Sequence, residues 1–325
     1  MRTSELAGVL LVLALIIFIC GAEVVFWGYR ITGKAAPVFL RSKYFVIVHV
    51  LAIAGVAIFI DGFVIEPRWI EVTRFEIETP KLKGTSFRAV LFSDTHCETR
   101  IRNEGKVAEI INGLKPDVIV FTGDSLNSPD ALPLFKETLR QLDASSGKFA
   151  VRGNFDSYRW GKLDLFSETG FRELKADTVK AEKDGEAICV TGFNIPYPAD
   201  FREVLRAVPN DKYSVLLYHH SDLAESLKGL NVDLYLSGHT HGGQVRLPFY
   251  GALVTLSRFG KKYESGMYTI PSSLRYAEAG DGMKLYVNRG IGLENKPAPK
   301  VRFLCRPEIT VFDIKPVRAV QEMNK

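Results

Sequence analysis

"DLYLSGHTHGGQV", residues 233–245, runs from an apolar, β-prone stretch straight into two histidines and three glycines. The Leu-Tyr-Leu run reads as a buried strand and the Gly-His-Thr-His-Gly-Gly segment as the turn at its C-terminal end. The same grammar recurs upstream. Residues 87–92 read as a strand ending in Ser93-Asp94-Thr95-His96, residues 117–122 as one ending in Gly123-Asp124, residues 148–151 as one ending in Gly153-Asn154, and residues 214–218 as one ending in His219-His220. Residues 103–114 and 132–142 carry helical periodicity, and residues 284–287 and 308–312 read as further strands, with no repeat and no low-complexity tract. Alternating strands and helices predict α/β layers.

The chain has six histidines, and all but His49 fall in these strand-end segments. Strand C-termini are where α/β sheets bind ligands. The polar residues gathered there are Asp94, His96, Asp124, Asn154, His219, His239 and His241. Two carboxylates, an amide oxygen and four imidazoles suit Mn, Fe or Zn better than Ca. Seven donors exceed what one ion takes and match two divalent ions sharing a carboxylate, an arrangement that clamps a phosphoryl group and activates water. Asn154 has two readings at this point, a ligand or an ordinary Gly-Asn turn.

Composition sets outer bounds. The 325 residues are 46% hydrophobic and 24% charged, which excludes a disordered chain, and the net charge of +5 suits an anionic substrate or membrane surface. Cys20, Cys97, Cys189 and Cys305 form no C-x-x-C pair, so no zinc ribbon or dithiol motif is expected.

The N-terminus differs in kind. Residues 6–22 are apolar without interruption, and the apolar character resumes after Glu23 as far as Trp27. Residues 45–60 are apolar except for His49. Two transmembrane helices, about 6–29 and 44–65, are expected, with Trp27, Tyr29, Tyr44 and Trp69 at their ends. A cleaved signal peptide fits poorly, because the first run is long and no A-x-A site follows it. The connecting loop carries Arg30, Lys34, Arg41 and Lys43 and no acid, which by the positive-inside rule places the loop in the cytoplasm and the body outside; Arg2, Arg68 and Arg74 on the other side weaken that bias.

D-x-H, G-D, G-N-x-D, a strand-end His and G-H-x-H, in that order from Asp94 to His241, resemble the calcineurin-like metallophosphoesterases, with the resemblance reaching over roughly residues 75–314. It implies a two-sheet α/β/β/α sandwich following the N-terminal two-helix hairpin. The expected organisation is a membrane anchor over 1–70, a catalytic domain over 71–316 and a tail over 317–325. The resemblance further implies that Asp94, His96 and His241 hold one ion, that Asn154, His219 and His239 hold the other, and that Asp124 bridges them. "IEPRWIEVTRFEI", "GHTHGGQV", "LYVNRGIG" and "RFLCRPEITVFDI" resemble a bacterial, membrane-attached branch that includes UDP-2,3-diacylglucosamine pyrophosphatases of lipid A synthesis. In that branch the G-N motif usually continues with a His, the proton donor to the leaving group, and here Phe155 stands there. The strand-end His is usually followed by x-Pro-Asp, and here by His220-Ser221-Asp222.

The Phe155 departure carries chemical information. An alkoxide leaving group, with a parent pKa of roughly 15, needs a proton as it departs, whereas a phosphate, at about 6, does not. The resemblance, with which this chemistry agrees, implies a membrane-anchored phosphohydrolase with two metal ions that cleaves the pyrophosphate of a nucleotide-linked lipid. The alternatives are a phosphodiesterase or phosphatase of another substrate, and a metal-binding membrane protein without catalysis. His220 and Arg159 are candidates to replace the missing donor, although His220 should point away from His219 if the strand continues. Arg289, Arg302 and Arg306 are candidates to meet substrate phosphates, and residues 250–279 form either a lid or a long surface loop. The expected setting is the inner membrane, with the catalytic domain cytoplasmic if the substrate is a UDP-lipid. No nucleic-acid module is visible, and no protein partner is inferred.

Overall fold

The structure is a computed structural model that describes residues 3–43, 45–271, 282–294 and 299–317. Fourteen strands occur among them: β1 (Glu71–Thr79), β2 (Phe87–Phe92), β3 (Val118–Phe121), β4 (Gly147–Ala150), β5 (Phe171–Glu173), β6 (Ala176–Lys183), β7 (Glu186–Phe193), β8 (Tyr213–Tyr218), β9 (Leu234–Ser237), β10 (Arg246–Leu247), β11 (Gly251–Ala252), β12 (Gly266–Pro271), β13 (Gly282–Val287) and β14 (Glu308–Pro316). One six-stranded sheet has the order β1-β14-β2-β3-β4-β5 and the other β12-β13-β9-β8-β7-β6, while β10 and β11 form a separate hairpin.

Period-two alternation assigns each strand's side chains to two cores. Ala89 and Leu91 of β2, and Val118 and Val120 of β3, face the second sheet, where they meet Val190, Val215, Leu217 and Leu236. Val90, Phe92, Ile119 and Phe121 face outward onto α-helical cover. Here the helices are α1 (Thr3–Thr32), α2 (Phe45–Ile60), α3 (Glu104–Gly113), α4 (Leu132–Arg140), α5 (Asn154–Tyr158) and α6 (Phe201–Arg206). Val107 and Ile111 of α3 and Phe135 and Leu139 of α4 complete that outer core. Phe201 and Leu205 of α6 cover the far face of the second sheet against Leu216, Tyr235 and Leu285. Four layers, α/β/β/α, follow. Within them β2, β3 and β4 run parallel, as do β7, β8 and β9, so their C-terminal ends collect along one edge.

The two N-terminal helices are longer than expected. α1 spans 30 residues, and α2 continues through a π-helical turn at Asp61–Ile65 and a 3-10 turn at Glu66–Arg68. At 1.5 Å per residue α1 is about 45 Å long, more than the roughly 30 Å a bilayer core requires. Both are long and apolar enough to cross a membrane, and they suggest membrane anchoring. His49 Nδ1 and Glu23 Oε1 pair at 2.7 Å between them.

The anchor is tied to the sandwich. The Glu66 carboxylate accepts the Leu304 N–H at 2.8 Å and the Cys305 N–H; the Arg302 N–H reaches the Gly62 carbonyl at 3.0 Å. Asn103 donates to the Pro67 carbonyl at 2.9 Å, and buried Glu5 near the start of α1 accepts the Thr255 N–H at 3.3 Å. Of the segment expected as a lid or loop, residues 250–271 contain β11, a 3-10 turn at Gly260–Tyr263 and β12, which pairs antiparallel with β13; residues 272–279 lie outside the described residues, as do Tyr44 and residues 318–325 of the tail.

Candidate metal centre

Six of the seven candidate ligands stand just beyond a strand, and the seventh, Asn154, opens α5 after β4. Asp94 and His96 follow β2, Asp124 follows β3, His219 follows β8, and His239 and His241 follow β9. Five of these six have left-handed φ: 50° at Asp94, 40° at His96, 58° at Asp124, 73° at His239 and 51° at His241. Non-glycine residues rarely adopt that region, and such strain concentrates at functional sites. Two motif glycines permit the crowding. A Cβ on Gly153 would lie 2.1 Å from Asp124 Oδ1, and one on Gly238 would lie 2.1 Å from Asp94 Oδ2.

The side chains converge. His219 Nε2 lies 3.2 Å from Asp124 Oδ2 and 3.9 Å from Asp94 Oδ1; His241 Nε2 lies 3.3 Å from Asp94 Oδ1; His96 Nε2 lies 3.7 Å from Asp124 Oδ2. His96 and His241 bring their Nε2 atoms within 3.1 Å of each other. Asn154 Oδ1 lies 3.3 Å from His220 Nε2, and the His220 ring lies 4.0 Å from that of His239, tilted by 38°. Asp94, Asp124 and His219 form one group of mutually close donor atoms, Asp94, His96 and His241 a second, and His219, His220 and His239 a third.

Hydrogen bonding fixes which nitrogens are available. The His219 Nδ1–H donates to the Thr122 carbonyl at 2.7 Å, and the His96 Nδ1–H to Asn127 Oδ1 at 3.0 Å. In the neutral rings the Nε2 lone pairs then face the carboxylates, which is repulsive without a cation between them. His241 Nδ1 is buried with no hydrogen-bond partner, and His219 Nε2 has the Asp124 carboxylate as its neighbour at 3.2 Å. These features fit divalent metal ions: the donor set is right, Asp94, His96, Asp124, His219 and His241 are buried together, and the bonds to Thr122 and Asn127 orient two of the rings.

The electrostatics agree. Burial drives Asp94 up, Asp124 adds to that rise, and His219 opposes it. Burial also acts to raise Asp124, but the charge and hydrogen bond of His219 outweigh it and hold Asp124 well below the usual carboxylate range. Burial lowers His96 and His239 to about 4 each, against the pull of Asp124. For His219, burial is outweighed by Asp124 and Asp94, and the ring is pushed up to about 9. In the absence of metal, a proton on His219 is thus the cation that this cluster of carboxylates can recruit.

Four sequence expectations need comment. His220 was expected to point away from His219 only if the strand continued, and it does not. β8 ends at Tyr218, strand alternation stops there, and the two rings lie 5.5 Å apart on the same side. Arg302, expected as a candidate to meet substrate phosphates, is engaged within the fold. It is fully buried, its guanidinium donating to the carbonyls of Cys305, Arg289, Gly290 and Gly292 at 3.0, 2.9, 3.0 and 2.7 Å. Arg289 is likewise committed, with Nη2 at 2.9 Å from both Glu71 and Glu308. Arg306 lies 3.8 Å over the Trp69 ring.

Phe155 is buried beside the cluster. Its ring stands edge-on to His96 at 4.8 Å, Arg159 covers it at 4.0 Å, and its N–H donates to Asp124 Oδ1 at 2.8 Å.

Two residues went unrecognised in the sequence. Asp156, the last position of G-N-x-D, is buried and accepts the N–H groups of Gly153, Asp124 and Ser125 at 3.0, 2.7 and 2.9 Å, and the Ser125 hydroxyl. It holds the turns of β3 and β4 together beneath the cluster, and its place in the motif was the available signal. Glu294 is pushed up to about 7, first by burial and then by Asp124, while Arg159 opposes; no sequence motif marks it.

The calcineurin-like phosphoesterase family matches residues 87–243. An uncharacterized metallophosphoesterase of Bacillus subtilis, YkuE, is 35% identical over 77% of this chain and 87% of its own length. The UDP-2,3-diacylglucosamine pyrophosphatase LpxG of Chlamydia trachomatis is 26% identical, covering 76% of this chain and 90% of its own. The phosphodiesterase YaeI of Escherichia coli is 28% identical, covering 77% and 90%.

Proposed function

This chain belongs to the calcineurin-like phosphoesterases, metal-dependent hydrolases with dinuclear centres, and on that premise we propose that it cleaves the pyrophosphate bond of a nucleotide-linked lipid such as UDP-2,3-diacylglucosamine. The observation that carries this reading is Phe155: an apolar ring, buried beside the cluster, at the position where the resembling branch keeps a proton donor. A phosphate leaving group tolerates that loss, whereas an alkoxide does not.

In this reading Asp94, His96 and His241 hold one ion, Asn154, His219 and His239 the other, and Asp124 joins them. Bound there, the two ions supply charge to clamp a phosphoryl group and to activate water. The chain's own residues do the positioning. Thr122 and Asn127 orient the His219 and His96 rings, and Asp156 braces the Asp124 turn. Phe155 excludes water from the face that Arg159 caps. In this reading the enzyme is a multi-pass protein of the inner membrane with residues 71–316 as the catalytic domain, on the cytoplasmic side if the substrate is a UDP-lipid, and the two long apolar helices support the anchoring.

A phosphodiesterase of another substrate is the competing reading, supported by the name of the Escherichia coli relative. Purified full-length protein with Mn²⁺, screened over nucleotide-lipid pyrophosphates, sugar-lipid diesters and aryl phosphates, separates them. A preference for the pyrophosphate supports the proposal, and a preference for diesters with alkoxide leaving groups overturns it.

A further inference from the structure

Left-handed backbone is unfavourable for large apolar side chains, and exposing them to water is unfavourable again. Three residues combine both. Phe249 has φ 64° and is fully exposed, Leu256 has φ 54° and is 55% exposed, and Leu304 has φ 51° and is 51% exposed. Among the described residues they are the only apolar side chains other than glycine with left-handed φ. All three lie on the segments that receive the anchor. Leu304 carries the N–H that Glu66 accepts, and Leu256 adjoins Thr255, which bonds Glu5. Phe249 lies between β10 and β11, in a hairpin whose approach is joined to Phe303 through the Arg246 N–H at 2.9 Å.

Around them stand half-exposed rings that carry cations. Trp69 lies beneath Arg306 at 3.8 Å, and Tyr250 beneath Lys261 at 3.3 Å. Aromatic rings paired with basic groups, beside apolar tips, are the composition of a membrane interface. The metal cluster is close by: the Cys305 thiol donates to the His241 carbonyl at 3.1 Å, one residue from Leu304.

We propose that Phe249, Leu256 and Leu304, with Trp69 and Tyr250, form a collar that inserts into the interface of the same bilayer that α1 and α2 cross, with the basic groups facing anionic headgroups. The metal site then sits against the leaflet, and a substrate's acyl end stays in the membrane while its phosphates reach the cluster. The collar rests on the membrane-anchor reading, and it explains why two unfavourable choices coincide at the same three residues.

The test uses the full chain in nanodiscs containing anionic lipid. In a Cys20→Ser background, a nitrobenzoxadiazole probe is attached at Phe249→Cys and, separately, at Glu182→Cys on exposed strand β6, remote from the collar; the other three cysteines are buried. At 249 the emission should shift to the blue and be quenched several-fold more by brominated lipid than at 182. Phe249→Asp should keep its rate on a soluble nitrophenyl phosphoester and lose on the order of tenfold on the same ester carrying an acyl chain. A chain that co-migrates with the nanodisc yet shows equally water-exposed probes at 249 and 182 overturns the collar and leaves the anchor standing. A chain that fails to enter the nanodisc overturns the anchor, and the collar with it.

Discussion

Replacing Phe155 by His puts a titratable ring where an apolar one now touches His96 edge-on at 4.8 Å. General acid catalysis contributes roughly 10²–10⁴-fold, equivalent to about 3–5 kcal/mol of barrier. That gain applies only to leaving groups that need a proton. The unmodified protein should therefore show rates that fall steeply as leaving-group pKa rises from about 6 toward about 15. Phe155→His should flatten the slope by speeding alkyl esters up to about 10²-fold while changing pyrophosphate cleavage by less than tenfold. Stability should fall, because a buried ring is made polar and its contact with Arg159 at 4.0 Å is altered; the combined loss is about 1–3 kcal/mol. The assay is a series of phosphoesters of graded leaving-group pKa, run with thermal melts of both proteins. An unchanged slope in a destabilised variant refutes the chemical role and leaves Phe155 as packing. A shallow slope in the unmodified protein refutes it more directly, since another group would then already deliver the proton.

Asp156→Asn removes a carboxylate that accepts three N–H groups beneath the cluster, and metal affinity should fall roughly 10–100-fold by isothermal titration, with the ligands themselves intact. Arg302→Met leaves four carbonyls without their shared donor; it should destabilise by several kcal/mol, at about 1–3 kcal/mol for each unsatisfied group, with KM unchanged in whatever folds, whereas a large KM effect without destabilisation would restore a substrate role. Glu186 accepts the N–H groups of Lys83, Gly84 and Thr85 at 2.7, 2.9 and 2.6 Å, which depress it to about 2. A depressed carboxylate stabilises above its unfolded pKa and loses that contribution as pH falls through its folded value. Glu186→Gln should therefore melt lower than the unmodified protein at pH 7, and the gap should close between about pH 4.5 and 2; a gap independent of pH contradicts the assignment.

The elements that carry chemistry were legible because they are short apolar strands broken by glycine-containing polar turns, and the strand read over 87–92 is β2 as observed. β1 was less so. Its half-buried face of Thr73, Phe75 and Ile77 alternates with Val72, Arg74 and Glu76, a mixed edge-strand pattern that merges with the end of the anchor. The β6–β7 hairpin is absent from the strands read in the sequence, although Asp184-Gly185 marks it: both residues have positive φ, 49° and 81°, as the tight hairpin turn requires. At the site, residue types and order pointed to the cluster, but side-chain direction did not follow from them. His220 turned inward because β8 ended two residues earlier, and the carbonyls that occupy Arg302 come from residues 10–13 positions away as well as from nearby Cys305.

The central claim is a pair of ions joined by Asp124. Full-length protein stripped by chelator and titrated with Mn²⁺ should bind two ions per chain, develop the spin-coupled signal of a close pair, and regain hydrolysis in step with the second ion. Asp124→Asn should bind at least one ion fewer or more weakly, lose the coupled signal, and lose turnover by more than the roughly 10–100-fold expected of an outer-shell change. Two tightly bound ions and unchanged turnover in Asp124→Asn would contradict the account.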